Sequence, residues 1–404
     1  MSGLLKRRVF LRSTPSLRDR YDVVIIGGGA HGLAIAYYLA AHHGIHDVAV
    51  LERSYIGSGG SGRNTTVLRA NYKTPEAIAF YQASFDLYKE LTLELDYNLL
   101  RSQRGLIWLA HGDSSRRTQR ERALLNETFG VETEFLEPSE VKRLCPQLDL
   151  ACGSSGRPVV GASYHPPGSV IRHDAVVWGY AANAQRLGVE VHQGTEVTGI
   201  TVHHGRCEGL TTTRGSIAAG AVVCAAGGYV SEIARFAGLE LPLTTHPLQA
   251  FVTEPCKPLL DRIVLSTEFL TYVSQTSRGE VLVGAEIEPY PSYSTRSTFS
   301  FLSDTAARCI DQFPFMAKLQ VLRQWTGVCE MSPDYSPIMG RSGIERFYLN
   351  TGWGTWGFKA VPAAGVSIAE LVATEAIPEV IAPFALARFH DDEVIADRAS
   401  AGTH

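Results

Sequence analysis

The chain has 404 residues, 45% of them hydrophobic and 19% charged, with a formal net charge of -4. That length exceeds one ordinary core and calls for two domains or one elaborated α/β unit. The mild acidity argues against nucleic acid as the main partner, and no apolar run reaches the roughly 18–20 residues that span a bilayer.

At the N-terminus, Lys6-Arg7-Arg8-Val9-Phe10-Leu11 looks like a twin-arginine export signal, but the residues from Arg12 to Arg20 are polar and charged. Without a hydrophobic core behind the basic pair, residues 1–20 read as a basic arm suited to a partner contact. The apolar run Tyr21 to Ile26 then predicts a buried strand that ends on Gly27-Gly28-Gly29-Ala30-His31-Gly32. A helix over 32–41 and a second strand over 48–51 follow, closing on Glu52. Strand, glycine turn, helix, strand and terminal acid form a dinucleotide fingerprint. Gly27 permits the tight turn, Gly29 lets backbone N–H groups approach a pyrophosphate, and Gly32 brings the helix close to the sheet. The helix points its positive end at that pyrophosphate, and Glu52 suits ribose hydroxyls while repelling a 2′-phosphate. Gly27, Gly29, Ala30, His31, Gly32, Glu52 and its neighbour Arg53 are the candidate contacts of this unit.

A glycine-rich loop, 57–62, leads into Arg63-Asn64-Thr65-Thr66-Val67-Leu68-Arg69. A helix is expected over 75–93, a strand over 105–109, charged helix over 114–145, and a further strand-helix-strand pass from 159 to 200 with its helix at 174–186. Ala221 to Gly228 reads as a buried parallel strand closing on a glycine turn. Residues 243–301 alternate as β-structure, and the chain returns to glycine-dense sequence at 350–359 before a last helix over 362–374. Seven scattered cysteines, odd in number and without a C-x-x-C, offer neither a disulfide framework nor a zinc site. They suit a reducing cytoplasm, and no metal site is expected. Three distant segments (27–69, 221–228 and 350–359) are glycine-dense at expected strand ends, where ligands of open α/β sheets bind. That distribution favours a cofactor as long as FAD over a nicotinamide dinucleotide. Beyond the fingerprint, its candidate contacts are Arg63, Asn64, Thr65, Thr66, Val197, Ala225, Gly227, Gly354, Thr355, Gly357 and Lys359.

From about residue 21 to the end, the chain resembles the amine-oxidising branch of the D-amino-acid-oxidase-like flavoproteins, and in it the beta subunits of heterotetrameric sarcosine oxidases. The motifs that carry this are Arg63-Asn64-Thr65-Thr66, Arg69-Ala70-Asn71-Tyr72, Ser102-Gln103-Arg104-Gly105, His246-Pro247-Leu248-Gln249-Ala250, Tyr272-Val273-Ser274-Gln275, Ser336-Pro337-Ile338 and Gly352-Trp353-Gly354-Thr355. The resemblance implies an α/β fold with a Rossmann-like FAD domain built from 21–110, 165–240 and 320–404, and a β-rich substrate domain inserted at 111–164 and 241–319. It implies oxidation of sarcosine to glycine and formaldehyde at non-covalent FAD. Electrons then pass to an FMN held covalently by His173, with Arg172 as a counter-charge, and on to oxygen to give hydrogen peroxide. Alpha, gamma and delta subunits would complete the assembly, with NAD and a folate-linked activity on alpha and zinc on delta.

Arg69 and Lys359 become, by the same resemblance, the clamp on the substrate carboxylate, a use that suits a guanidinium fork beside an ammonium. His246 and Tyr272 are further candidates to line the pocket. Two departures mark this chain: Ala175 stands where the family commonly has a second histidine, and Trp356 and Ala360 stand where glycines are expected. Alternative readings are a D-amino-acid, opine or proline dehydrogenase subunit that hands electrons to a carrier, and a non-catalytic flavin scaffold.

Overall fold

The computed structural model describes residues 16–153, 155–391 and 393–395. The export-signal reading, and all of the basic arm up to residue 15, lie outside those residues. Of the arm's inner end, Arg18 pairs with Asp47 and Glu190 and lies over the Tyr21 ring.

The first sheet grows from the fingerprint. Arg20–Ile26 is flanked in parallel by Val48–Glu52 on one side and Gly215–Cys224 on the other; Glu190–Gln193 extends one edge and Phe347–Thr351 the other, also parallel. Ile338–Arg341 and the hairpin Val197–His203/Arg206–Thr212 add antiparallel strands, giving eight in all. Strands buried on both faces read as continuous apolar runs, which is why this half was visible in the sequence. The helix Ala30–His43 packs on this sheet beside Gly357–Thr374 and His173–Arg186, and the largest apolar cluster fills the space between them. A Cβ on Gly32 would stand 2.0 Å from the Gly27 carbonyl oxygen, so only glycine lets the helix start this close to the strand end.

The second sheet also has eight strands, in the order Val321–Met331, Thr244–Pro255, Glu280–Ile287, Thr271–Gln275, Ile263–Ser266, Leu106–Ala110, Gly161–His165 and Glu134–Leu136. Leu106–Ala110 and Val321–Met331, which the sequence reading grouped with the nucleotide-binding segments, hydrogen-bond here instead. Leu106–Ala110 misleads because it is buried on both sides and pairs in parallel with Ile263–Ser266, so its run of five apolar residues looks like a nucleotide-domain strand. The expected helix over 114–145 is two, Asp113–Thr128 and Pro138–Leu144, split by the strand Glu134–Leu136; proline at the first helical position starts the second one. The last helix begins at Gly357, five residues before the expected start, and this puts Lys359 in its first turn. A three-stranded ribbon, Val67–Leu68, Ser169–Val170 and Ser102–Gln103, links the two halves. All seven cysteines are free thiols, six of them buried.

Candidate functional site

One cavity runs along the carboxyl ends of the first sheet's strands and under the second sheet. The three glycine-dense segments meet on it. Of the sequence candidates, Gly27, Gly29, His31, Glu52, Arg63, Asn64, Thr65, Arg69, Ala225, Gly227, Gly354, Thr355, Gly357 and Lys359 line its wall. Ala30 and Gly32 lie just behind, in the first turn of the fingerprint helix, where the Ala30 N–H donates to Ser61 Oγ at 2.9 Å. Thr66 stands next to the wall at φ 65°, its N–H held by Asn64 Oδ1 at 2.8 Å. The rest stand apart. Val197 begins an outer strand and packs into the core beneath the sheet, Arg53 turns its guanidinium over the Tyr229 ring at 3.7 Å, and Arg172 and His173 open the helix His173–Arg186 away from the wall.

The nucleotide end is preorganised. Glu52 accepts the Gly28 N–H at 3.0 Å through Oε2 and the Ser54 N–H at 2.8 Å through Oε1, so its carboxylate is fixed at the end of its strand while it faces the cavity. His31 joins the two helix N-termini: its Nε2 contacts the Gly357 carbonyl at 2.8 Å, its Nδ1 lies 3.3 Å from the Asn350 amide nitrogen, and its ring stacks on Trp353. Burial lowers its pKa to about 4, so the ring is neutral and donates through Nε2. Two helices, Ala30–His43 and Gly357–Thr374, therefore present their positive ends to one cavity. Glycine-rich loops, two helix N-termini and a strand-end acid form a cradle that fits a pyrophosphate, a ribose and a ring system with electron-rich edges.

At the other end the wall becomes aromatic and cationic. Arg69 is only 3% exposed; its Nη1 donates to the Asn71 carbonyl at 2.7 Å, and its guanidinium lies over Tyr72 at 4.0 Å and Trp108 at 5.0 Å. Lys359 points its Nζ to the Thr355 carbonyl at 3.4 Å. Burial, and then the charge of Arg69, push its ammonium well below the usual lysine range. Both side chains line the one cavity, and a bound anion there would favour the charged form of each. Trp356 is buried to 2% exposure, lines the cavity and meets Tyr72 and Tyr81 edge-on, so it both narrows the pocket and packs behind the arginine.

Tyr272 reaches the wall, whereas His246 does not: its ring bonds the Glu288 carbonyl at 2.8 Å and the Thr244 hydroxyl at 3.1 Å on the strand Thr244–Pro255. Tyr272 interacts with Thr65, and burial lifts its phenol to about 12. Its ring occupies the space that a side chain at 284 would take, since a Cβ on Gly284 would stand 1.8 Å from Tyr272 Cζ. Gly284→Ala is therefore expected to expel the ring into the cavity at a cost of about 1–3 kcal/mol. A lower melting temperature together with a shifted flavin absorption spectrum would report it. Sequence reasoning missed Trp108, which sits between Arg69 and Arg122, and Glu330, a buried acid on the wall. Neither belongs to a motif with readable spacing.

The profile of the FAD dependent oxidoreductase family matches residues 22–371. The chain is 41% identical to the sarcosine oxidase subunit beta of Arthrobacter sp over 393 residues, covering 97% of this chain and 96% of that one. It is 40% identical to the Rhodobacter capsulatus sarcosine oxidase subunit beta over 390 residues, covering 96% and 94%. Among solved structures, the L-proline dehydrogenase of P. horikoshii superposes with a TM-score of 0.88 at 28% identity, covering 94% of this chain and all of that one. The chain belongs to the FAD-dependent oxidoreductase family, on the branch that holds the sarcosine oxidase beta subunits.

Proposed function

We propose that this chain oxidises sarcosine, or a secondary amino acid of similar size, at FAD bound in the cavity, as one subunit of a hetero-oligomeric oxidase. The observation that carries the reading is Arg69 and Lys359 facing one space beside the glycine-lined cradle. FAD supplies the two-electron acceptor when bound, with Gly29, Glu52, Ala225, Gly227, Gly354 and Gly357 as its holders. Arg69 and Lys359 grip the carboxylate, the guanidinium pre-set by its stacking and by Asn71. The pair also lowers the pKa of the incoming amine, which has to react as the free base. Trp108, Tyr272 and Trp356 close the pocket against water and limit the size of the N-substituent. The close similarity to two sarcosine oxidase beta subunits favours this substrate over the dehydrogenase alternative, which has its best support in the more distant L-proline dehydrogenase structure. Anaerobic addition of sarcosine should bleach the flavin and release formaldehyde and glycine as the imine is hydrolysed, and air should then return the colour with formation of peroxide. Bleaching by proline but not by sarcosine would overturn the assignment in favour of the alternative.

The reading extends to a second flavin, FMN, attached to His173 near the junction with an alpha subunit, with gamma and delta subunits completing the complex. What supports it is connectivity. The segment before His173 pairs with the cavity wall, Val170 with Val67 and Ser169 with Leu68, and the Ile171 N–H donates to the Thr66 carbonyl at 3.2 Å. Partial burial lowers the pKa of His173, which keeps its imidazole neutral and nucleophilic. Arg172 is already bound to Asp174 through Nε at 3.0 Å and Nη2 at 2.6 Å, so as a counter-charge it would act jointly with that acid. Acid-precipitated protein is expected to keep a covalent yellow flavin, and His173→Ala to lose it while FAD stays. Mass spectrometry of tryptic peptides checks both, and colour that washes out of the wild type would refute the attachment.

A further inference from the structure

We propose that Glu330 is the proton-holding group of the flavin cavity: its carboxylate takes up one proton from solvent when the cofactor is reduced and gives it back on reoxidation. Glu330 lies next to the end of the strand Val321–Met331, 4% exposed, and lines the same cavity as the glycine cradle. Thr351 Oγ1 donates to its Oε1 at 3.4 Å, and the backbone N–H groups of Gly352 and Trp353 bond the carboxyl as well. Its own carbonyl accepts the Gly354 N–H at 2.9 Å, which fixes it to the loop that leads into Thr355 and Lys359.

Every one of those donors is neutral, and among the described residues no cation forms an ion pair with it, although Arg63, Arg69 and Lys359 stand elsewhere on the same wall. Cys224, at the end of Gly215–Cys224, and Cys329, on its own strand, are both held protonated by burial. On the paired strand Thr245 stands opposite, while the neighbouring His246 ring is turned to Glu288 and Thr244. Under Trp353, His31 is neutral. Burial, against these hydrogen bonds, lifts the Glu330 carboxyl to about 7.

A buried carboxylate held only by neutral donors is costly already, and a second negative charge nearby makes it costlier. Substrate oxidation delivers one: a C–H bond of the neutral amine breaks with its electron pair, and the hydride adds one negative charge to the cofactor. The iminium product carries the matching positive charge out of the cavity when it leaves to be hydrolysed. If Glu330 O⁻ takes one H⁺ from solvent to form an O–H bond, the net charge of the cavity is unchanged; the next acceptor removes the electrons and the proton leaves. Burial lifts the carboxyl to about 7, so before reduction the ionised form prevails on the alkaline side of that value and the protonated form on the acid side. The extra proton therefore accompanies reduction on the alkaline side of neutrality and disappears on the acid side.

The inference needs the flavin but not the amine, so the test reduces the holoenzyme with dithionite or light. On the alkaline side, the dependence of midpoint potential on pH should correspond to two protons per two electrons in the wild type and to one in Glu330→Gln. The reduced-minus-oxidised infrared spectrum of the wild type should gain a carboxylic-acid C=O band that shifts in heavy water and is missing from the variant. Equal slopes in the two proteins, or no such band in the wild type, would overturn it. The wild-type infrared measurement decides the matter even if the variant fails to fold. A flavin that titrates as described but is not bleached by any amine leaves this inference standing while the proposed substrate falls.

Discussion

Replacing Lys359 with methionine is expected to raise the KM for sarcosine about 30-fold, with the flavin still bound and its spectrum nearly unchanged. The ammonium is one of two cationic grips on the carboxylate, and losing one charge-assisted contact costs about 1.5–3 kcal/mol, or roughly 10–100-fold in affinity. Methionine keeps the length and apolar bulk of the side chain, so the first turn of Gly357–Thr374 and the aromatic packing around Trp356 should survive. Arg69 is held by Asn71 and by stacking on Tyr72 and Trp108, so it stays in place without its partner cation. The pH dependence carries a second signature. Burial and Arg69 depress the pKa of Lys359, so its charged fraction falls as pH rises through that lowered value, whereas a bound carboxylate favours the charged form. Wild-type KM should therefore climb toward alkaline pH and the variant's KM should stay flat, even as the free-base requirement of the amine pulls the rate upward in both. Steady-state kinetics over pH, with a decarboxylated amine as control, separates these effects. An unchanged KM would remove Lys359 from the site.

Lys359 also shows what the sequence could convey. Its glycine-dense surroundings announced a cofactor loop, but the helix was expected to begin at Pro362. Proline at an interior position looks like a start, and here it is carried inside a helix that opens at Gly357. The nucleotide half was legible because its physics is local: an apolar strand, glycines at fixed offsets and an acid at the next strand end all lie within about thirty residues. The substrate half was not. Leu106–Ala110 satisfies the period and burial of a nucleotide-domain strand and is assigned elsewhere only by pairing with a strand some 150 residues away. Trp108 reaches the site for that reason, and Glu330 through a strand that pairs with Thr244–Pro255. His246, offered by its motif as one candidate to line the pocket, instead turns its ring to the Glu288 carbonyl and the Thr244 hydroxyl. Motif agreement reports that a backbone is shared, and the direction of a side chain is settled by contacts distant in sequence.

Arg388→Met is expected to destabilise the folded chain by about 3–5 kcal/mol, the range for stripping one partner from a buried ion pair. Arg388 and Asp334 are each only 3% exposed at the side chain. Nε and Nη2 of Arg388 reach Asp334 Oδ2 and Oδ1 at 2.8 and 3.0 Å, and the remaining donors go to the carbonyls of Phe384, Ala385 and Ser336. Asp334 also accepts the N–H groups of Ser336 and Ile395, so the pair fastens the C-terminal segment to the loop that follows Glu330 and Met331. Methionine would leave a buried carboxylate without its counter-charge and take the guanidinium donors from the Phe384 and Ala385 carbonyls, while the Ser336 carbonyl keeps the Ser332 hydroxyl. Burial opposes the charge of Asp334, but the hydrogen bonds and charge of Arg388 outweigh it and hold the carboxyl below the ordinary aspartate value. A depressed folded-state pKa contributes stability above the unfolded value of about 3.9, and that contribution is lost as pH falls through the folded value. The melting temperatures of wild type and Arg388→Met should therefore lie several degrees apart near neutrality and converge in acid. Adding Asp334→Asn to the variant should recover part of the loss, because the amide leaves no buried charge behind. If the double variant melts no higher than Arg388→Met alone, the cost lies in the lost contacts to Phe384, Ala385 and Ser336, and the ion pair is not what fastens this end of the chain.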